Sequence, residues 1–396
     1  MLFGLCRLVR YVQSRRISSQ AQLDSCGPEL QEYQLARTRR PNTRLVPFLA
    51  ASFLAAGLLI APPASAEPTT IHVRATSCSD SGPGTAGQPF CTIQHALDIV
   101  QPGQTVALHD SATLYETPTL TRSGTEDAPI TITSVDGAAY VWASAGPVFT
   151  ISGAHDIVVR GVEFHAGGAS SAEAIVLDNA SRITLDQLVL VPKAQHPGLR
   201  ATNSSVVTVS RSNVAGAVGG VGIHATQGSS ELTLAGNTIT YGVVVDGFTN
   251  LAIAGNRLYQ RCGPALTVAG PADAVSIQNN VFVRSPAPTC PVNHFVEVDT
   301  AAAPTTTLDY NNITHAADAY LWAGTSYDSP ADLHSATGQA AHDLIASRNS
   351  LTSLYDNANA DAPGALIETA VDLPSIPNTG AGTVTYLDRG PYEYDE

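Results

Sequence analysis

The segment Leu232–Ile239 recurs along the chain in altered copies, and this repetition restricts the fold more than any other feature of the sequence. The shared pattern is an apolar residue, any residue, a second apolar residue, two small or polar residues, Asn, any residue and a third apolar residue. The Asn recurs at intervals of 19 to 31 residues, as Asn237, Asn256, Asn280 and Asn311. Sequence repeats of this period are typical of proteins in which each copy forms one turn of an elongated stack.

Weaker copies precede the four that contain Asn. Residues 207–214 carry Ser212 at the Asn position, and residues 183–190 and 157–164 keep only the apolar spacing. The alternation of apolar and polar residues over three to five positions is strand periodicity. Strands this short, stacked turn upon turn, form parallel sheets with neighbouring strands about 4.8 Å apart. Their inward apolar residues then build one continuous core.

The fixed position of the Asn predicts a ladder of side-chain hydrogen bonds along the stack. An Asn amide has two N–H donors and an acceptor oxygen, so it can bond to the Asn of the next turn. We therefore predict that Asn237, Asn256, Asn280 and Asn311 lie above one another. The alternative is four unrelated turn residues, since Asn is common in turns. Their constant distance from two apolar residues favours the ladder.

Residues 1–66 are predicted to be a leader and signal peptide that is cleaved after Ala66. An apolar run, residues 45–60, follows four arginines and precedes the small-x-small sequence 64–66. The alternative is a membrane anchor, but the run is shorter than the roughly 20 residues of a spanning helix. We expect residues 67–396 to be a secreted single domain, a monomer without a stable membrane span after processing.

Residues 67–396 are strongly acidic. They carry 12 basic and 31 acidic residues, a formal charge of −19, and only one of the cations is a lysine, Lys193. This balance argues against nucleic acid as a partner, because phosphate backbones are bound by cationic surfaces. A polyanionic substrate would need a local cationic patch or a bound cation.

Four cysteines remain after removal of the leader, and an even number is typical of an oxidising compartment. Of the three pairings that four cysteines allow, we prefer Cys78–Cys91 and Cys262–Cys290, because each closes a local loop. A metal–thiolate site is the alternative, but no CxxC spacing occurs.

The ends of a stacked core must be covered, and the sequence offers a cover at each end. We expect an N-terminal cap and the first turns in residues 67–147, regular coils in 148–322 and a C-terminal cap in 323–396. Residues 91–100 have apolar residues at helical spacing, with Thr92 as the candidate N-cap. A short capping helix is therefore predicted there.

A family resemblance covers nearly all of residues 67–396. Residues 78–106, CSDSGPGTAGQPFCTIQHALDIVQPGQTV, and the ending Asp388–Glu393 resemble secreted bacterial right-handed parallel β-helix proteins of the pectin-lyase-like superfamily. The resemblance implies an all-β, right-handed parallel β-helix with a short N-terminal capping helix and an irregular C-terminal cap. It implies extracellular polysaccharide as the partner. It does not select an activity, because this superfamily includes lyases, hydrolases, epimerases and proteins without known catalysis.

A second strand precedes each Asn-bearing strand, and its central residue is predicted to point outward. Stacking these residues gives one exposed column, which consists of Thr150, Val176, Arg200, His224, Val244, Thr267 and Glu297. The residues two positions on give a second column, which consists of Ser152, Asp178, Thr202, Thr226, Asp246, Ala269 and Asp299. The Asn-bearing strands expose Val158, Thr184, Thr208, Thr233, Ala252, Ser276 and Thr307, none of which is ionisable. We therefore expect any chemistry on the first face.

Arg200 and His224 fall on adjacent turns, and Asp178 and Asp246 flank them diagonally. We take these four as the candidate catalytic residues. In similar lyases, a basic side chain removes the proton next to a uronate carboxyl group, and a cation, often Ca²⁺, stabilises the developing charge. Arg200 or His224 could act as the base, and His224 suits the role better because its intrinsic pKa is near neutral. Asp178 and Asp246 would orient these two side chains or bind the Ca²⁺ ion. The candidate substrate-binding residues are Thr202, Thr226, Glu297 and Asp299.

Other interpretations stay open. The four residues can be a solvated ion-pair network, worth about 0–1 kcal/mol per pair. The protein can be a non-catalytic glycan-binding or structural β-helix with this face flat, whereas an enzyme should have a groove walled by residues 192–197 and 215–220. A glycoside hydrolase is a third reading, since alternate strand residues such as Glu297 and Asp299 lie about 7 Å apart. His165 is expected to line a turn.

Overall fold

The computed structural model describes part of the chain, and all of that part belongs to one compact unit, Ser65–Glu396. The described residues are 70–109, 114–216, 220–226, 228–260, 262–284, 294–314, 318–345 and 362–363. The predicted leader and the ending 388–393 lie outside these ranges, as does most of the predicted C-terminal cap. Among the helices within the ranges, none is both long and apolar enough to span a membrane.

Short parallel strands wind repeatedly through three sheets and form a right-handed parallel β-helix, which confirms the predicted fold class. Each turn passes through sheet 1, then sheet 2, then sheet 3, and each strand pairs in parallel with the equivalent strand of the next turn. The described strands between residues 148 and 322 follow this order.

The strands of sheet 1 are β1 (Thr70–Val73), β2 (Thr105–His109), β5 (Ile130–Val135), β8 (His155–Arg160), β11 (Ser181–Asp186), β14 (Ser205–Ser210), β17 (Ser230–Ala235), β20 (Thr249–Ala254), β23 (Asp273–Gln278) and β26 (Thr306–Asp309). Those of sheet 2 are β3 (Leu114–Tyr115), β6 (Ala139–Gly146), β9 (Val162–Ser171), β12 (Val189–Val191), β15 (Asn213–Val214), β18 (Thr238–Thr240), β21 (Arg257–Gln260), β24 (Val281–Arg284), β27 (Asn312–Ile313) and β30 (Leu344–Ile345). Those of sheet 3 are β4 (Thr119–Leu120), β7 (Phe149–Ser152), β10 (Ile175–Asp178), β13 (Leu199–Thr202), β16 (Ile223–Ala225), β19 (Val243–Asp246), β22 (Leu266–Ala269), β25 (Val296–Val298), β28 (Tyr320–Trp322) and the antiparallel β29 (Thr325–Tyr327).

The core follows from the alternation of side chains along each strand. In β13, Leu199 and Ala201 are buried and the residues between and after them are half-buried. Phe149 and Phe164, both fully buried, stack with ring centroids 5.4 Å apart. Burying a side chain of this size contributes about 1.5–3 kcal/mol. Repeated on every turn, this burial holds together strands that are too short to be stable alone.

The Asn ladder is confirmed. The backbone N–H and the side-chain amide of Asn237 donate to Oδ1 of Asn256, both at 2.9 Å. Asn256 donates in the same way to Asn280, and Asn280 to Asn311, at 3.0–3.1 Å. All four side chains are fully buried. Ser212 occupies the predicted equivalent position, since its backbone N–H donates to Oδ1 of Asn237.

The N-terminal cap is formed by helix α1 (Ile93–Ile99), with Thr92 as N-cap, as predicted. Oγ1 of Thr92 accepts a hydrogen bond from the backbone N–H of His95, and α1 packs against β1, β2 and β4. The carboxylate of Glu116 accepts the N–H groups of Ile93 and Gln94, which would otherwise lack partners at the helix start. At the other end, α2 (Pro330–Thr337) and a 3₁₀ helix (Ala303–Thr305) lie beside the last coils.

The Cys78–Cys91 disulfide is confirmed, with Cα atoms 4.9 Å apart. Cys262 is also disulfide-bonded. Cys290, its predicted partner, lies outside the described residues, so the second pairing stays a prediction.

A column of left-handed residues runs along the outer face of sheet 1. The second residue of six consecutive strands has φ between 50° and 57°, namely Asp156, Arg182, Val206, Glu231, Asn250 and Ala274. The first strand of the six is β8 and the last is β23. This conformation costs an ordinary L-residue roughly 1–2 kcal/mol, and it is least favourable for a β-branched side chain.

We expect Val206→Asn to stabilise the protein by about 1 kcal/mol, because Asn tolerates the left-handed conformation and already occupies the equivalent position at Asn250. Val206 is 40% exposed, so little burial is lost. Urea denaturation of both proteins measures the difference. The reciprocal variant Asn250→Val is the control and should lose a similar amount. A less stable Val206→Asn protein would contradict the expectation.

Candidate functional site

Sheet 3 places Arg200 and His224 side by side on adjacent turns. Their Cα atoms are register partners between β13 and β16. Val176 precedes Arg200 in the same register, and Val244 follows His224. The whole predicted column is found as successive register partners, namely Thr150, Val176, Arg200, His224, Val244, Thr267 and Glu297.

Arg200 is anchored by a carboxylate that the sequence pattern did not identify. Nε of Arg200 donates to Oε1 of Glu173 at 2.8 Å. Glu173 is 8% exposed, whereas the side chain of Arg200 is 38% exposed. Among the described residues, this is the one hydrogen bond of the guanidinium group. The contact holds the group through Nε, and the two terminal nitrogens make no hydrogen bond to a described residue.

The imidazole of His224 is half-buried beside this cation. Burial lowers the pKa of His224 below its ordinary value, and the charge of Arg200 lowers it further, while Asp246 acts in the opposite direction. The dominant causes both disfavour the charged ring. His224 is therefore mainly neutral at neutral pH and can accept a proton.

The two candidate aspartates have different surroundings. Asp246 interacts electrostatically with His224, and its Oδ1 lies close to Gly270, where a Cβ would stand 2.7 Å away. Asp178 is the register partner of Thr202, and its Oδ1 accepts a hydrogen bond from the side chain of Asn179 at 2.9 Å. The structure thus brings Arg200, His224 and Asp246 together, whereas the carboxylate of Asp178 hydrogen-bonds only to Asn179 among the described residues.

The candidate substrate-binding threonines lie next to each other. Oγ1 of Thr226 contacts Oγ1 of Thr202 at 3.4 Å and donates to the carbonyl of Ala201 at 3.3 Å. Both side chains are half-buried on the outer face of sheet 3. They form a small hydroxyl surface beside the Arg200–His224 pair.

Glu297 and Asp299 have unequal roles. Oε1 of Glu297 lies 3.1 Å from Nδ1 of His294, whose Nε2 lies 3.1 Å from Oγ of Ser326. The carboxylate of Asp299 instead accepts three backbone N–H groups: Gly270 at 2.5 Å, and Ala301 and Ala302 at 2.9 Å each. Asp299 therefore holds two loops together, and this geometry does not favour the pair of free carboxyl groups that a glycosidase uses.

The turn segments that were predicted to wall the site adjoin each other. A Cβ at Gly220 would stand 2.9 Å from the carbonyl oxygen of His196, so the two backbones are in contact. The N–H of Lys193 donates to the carbonyl of Ala172, which joins the first segment to the turn containing Glu173. Residues 217–219 of the second segment lie outside the described residues.

A cavity of about 590 Å³ lies on the outer face of sheet 1, which we predicted to carry no ionisable group. That prediction is wrong for the face as a whole. Five of the predicted outward residues line the cavity, and so do four residues of the left-handed column, one of which is Glu231. The repeat pattern begins one residue after this column, so it excluded Glu231. Elsewhere in the column, Arg182 binds Asp156 through two hydrogen bonds and lowers the pKa of Asp156 to about 2.

The donor set expected for Ca²⁺ is not formed by the residues that the structure describes. Within those ranges, no three His, Cys, Asp or Glu side chains come together as a metal site. A strong Ca²⁺ site needs six to eight oxygen ligands, several of them carboxylates. Here the carboxylates of Asp178, Asp246 and Glu297 belong to different strands of sheet 3.

Comparisons with known proteins give structural matches only. No family model matches the sequence, and no curated protein is significantly similar to it. An alginate lyase from Paenibacillus sp. strain FPU-7 matches with 15% identity over 63% of this chain and 97% of its own, with a TM-score of 0.40. The pectate lyase Pel9A matches with 16% identity over 82% of this chain and 97% of its own, with a TM-score of 0.46. A rhamnogalacturonan lyase matches with 12% identity over 80% of this chain and 95% of its own, with a TM-score of 0.33. At these values the matches assign neither a reaction nor a substrate to this chain.

Proposed function

We propose that this β-helix binds an extracellular acidic polysaccharide across sheet 3 and cleaves it by β-elimination at Arg200 and His224. The observation that supports the proposal is the direct register of the two residues, one held by Glu173 and the other half-buried and mainly neutral. A fixed cation beside a neutral base is the pair that proton abstraction next to a carboxylate requires.

In the proposed reaction, the terminal nitrogens of Arg200 bind the carboxylate of a uronate residue. This interaction stabilises the charge that develops when the neighbouring C–H bond breaks. His224 accepts that proton, and the C–H electron pair forms a carbon–carbon double bond. The bond from the β carbon to the glycosidic oxygen breaks, and the oxygen takes a proton from solvent. His224 then releases its proton.

The remaining candidates have supporting roles in this proposal. Asp246 tunes the charge of His224, and Asp178 lies at the edge of the bound chain. Thr202 and Thr226 present hydroxyl groups to the sugar. Glu297, with His294, lies further along the same column and would contact a distant residue of the polymer. No step is assigned to a metal ion, because the described residues do not offer a suitable set of ligands.

We also propose that the protein acts outside the cell. The Cys78–Cys91 disulfide supports this location, since disulfides persist in oxidising compartments. The apolar run and the small-x-small sequence ending at Ala66 support it independently.

The test is to incubate the protein with polygalacturonate, alginate and rhamnogalacturonan, with and without Ca²⁺. Elimination produces unsaturated uronates, which are followed by ultraviolet absorbance. If none of the three polymers gives an increase in ultraviolet absorbance, lyase activity on these polymers is contradicted. Affinity electrophoresis in gels containing the same polymers then examines the alternative: retardation without cleavage would identify a glycan-binding module.

The elimination rate should rise with pH through a midpoint below 6.5. His224 acts as base only in its neutral form, and burial and Arg200 both lower its pKa. The logarithm of kcat/KM against pH measures the midpoint. In Asp246→Asn, the interaction that raises this pKa is lost, so the midpoint should move to lower pH. A midpoint above 6.5 in the unaltered protein would contradict His224 as the base.

A further inference from the structure

We infer that the outer face of sheet 2 carries a separate carbohydrate-binding site, where the rings of Tyr140 and Trp142 stack on an uncharged pyranose and Glu163 and His165 hydrogen-bond to its hydroxyl groups. The site lies on a different sheet from Arg200 and His224 and involves none of the same residues. The inference therefore goes beyond the proposed elimination, and its test does not depend on whether elimination occurs.

Three aromatic rings come together on two adjacent turns. Trp142 in β6 is the register partner of His165 in β9, and Tyr140 is the partner of Glu163. The rings of Tyr140 and His165 stack with centroids 4.1 Å apart and planes at 28°. All these side chains are half-buried on the outer face. Large rings that stay partly exposed on a sheet surface are a common sign of a binding surface.

The indole of Trp142 lies sideways over the neighbouring strand. A Cβ at Gly167 in β9 would stand 2.0 Å from Nε1 of Trp142, so any other residue there would displace the ring. The indole therefore extends from β6 across β9 along the sheet surface. In the proposed site, the C–H face of a pyranose packs against this indole, because that face is flat and apolar and stacks on aromatic rings.

The polar groups beside the rings match sugar hydroxyls. Nε2 of His165 lies 3.2 Å from Oε2 of Glu163, and the side chain of Glu163 is 32% exposed. A carboxylate accepts hydrogen bonds from hydroxyl groups, whereas it repels a uronate. On the next turn, the register partners of Glu163 and His165 are Val189 and Val191, which add no cation. The charge thus selects an uncharged sugar.

The chain contains two tryptophans, and this allows a direct measurement. Trp142 is half-exposed, whereas Trp322 is 5% exposed in the core. The full chain is titrated with soluble glucan, mannan, galactan and xylan while tryptophan fluorescence is recorded. We expect a saturable change in fluorescence with at least one of them. Trp322→Phe should keep the change, and Trp142→Phe should lose it.

Two variants strengthen the test. In the Trp322→Phe background, Tyr140→Ala and Glu163→Gln should each weaken binding at least about tenfold, a typical effect of losing one good contact. Arg200→Ala should leave the titration unchanged, which separates this site from the proposed elimination. The inference is overturned if none of the four polymers gives a saturable change, or if Trp142→Phe retains it. Polygalacturonate is titrated as a charged comparison, and a response to it alone would overturn the assignment to uncharged sugars.

Discussion

Arg200→Ala and His224→Ala should each lower the rate of uronate elimination at least about 100-fold while leaving the fold intact. General base catalysis contributes 10²–10⁴-fold in typical enzymes, and a fixed cation at a developing charge contributes as much. Both side chains lie on the outer face of sheet 3 and are only half-buried, so their removal leaves no core cavity. Initial rates on the most active polymer of the panel measure the effect.

Matched controls separate catalysis from structure. Thr150→Ala alters the same column two turns before Arg200 and should leave the rate unchanged. Arg200→Lys keeps the charge but loses the planar fork, so we expect it to recover only part of the rate. Glu173→Gln removes the charge of the carboxylate that holds Nε of Arg200, so it should raise KM more than it lowers kcat. Unchanged rates in both Arg200→Ala and His224→Ala would place the chemistry elsewhere.

Asn256→Leu should destabilise the protein by about 3–5 kcal/mol, which is among the largest effects of a single substitution. Oδ1 of Asn256 accepts two hydrogen bonds from Asn237, and its amide donates to the carbonyls of Leu234 and Ala254 and to Asn280. Leucine removes all of these inside a fully buried site. Each buried polar group that is left unsatisfied costs about 1–3 kcal/mol.

Chemical denaturation of Asn256→Leu and of the unaltered protein measures this loss. Asn213→Ala is the control, because Asn213 is exposed on β15 outside the ladder and its removal should change stability by less than about 0.5 kcal/mol. A loss below 1 kcal/mol in Asn256→Leu would mean that the ladder contributes little beyond an ordinary turn.

The fold could be predicted from the sequence because the chain repeats itself. The Asn at a constant distance from two apolar residues determines both the turn and the strand that precedes it. Once the turns are aligned, the outward column of sheet 3 follows from the alternation of side chains along a strand. Arg200 and His224 could therefore be placed together before any coordinates were known.

The site residues outside the strands could not be predicted in this way. Glu173 lies in the turn before β10, where the chain has no period, so only coordinates show that its carboxylate meets Arg200. The role of Asp299 depends on the path of two loops and not on strand alternation. His165, expected to line a turn, lies in β9 instead, where it is the register partner of Trp142 in β6 and of Val191 in β12.

The last member of the ladder is a carboxyl group. Oδ1 of Asp343 accepts the backbone N–H and the side-chain amide of Asn311, and its Oδ2 accepts the hydroxyl of Tyr320. Each Asn side chain accepts hydrogen bonds from the preceding Asn and donates one to the next, whereas a carboxylate can only accept. All hydrogen bonds of the ladder therefore run from the earlier residue to the later one, and side-chain donation ends at Asp343. A coil inserted between Asn237 and Asn311 would meet a matching Asn on both sides, whereas a coil inserted after Asp343 would meet a carboxylate, which has no N–H to donate to it.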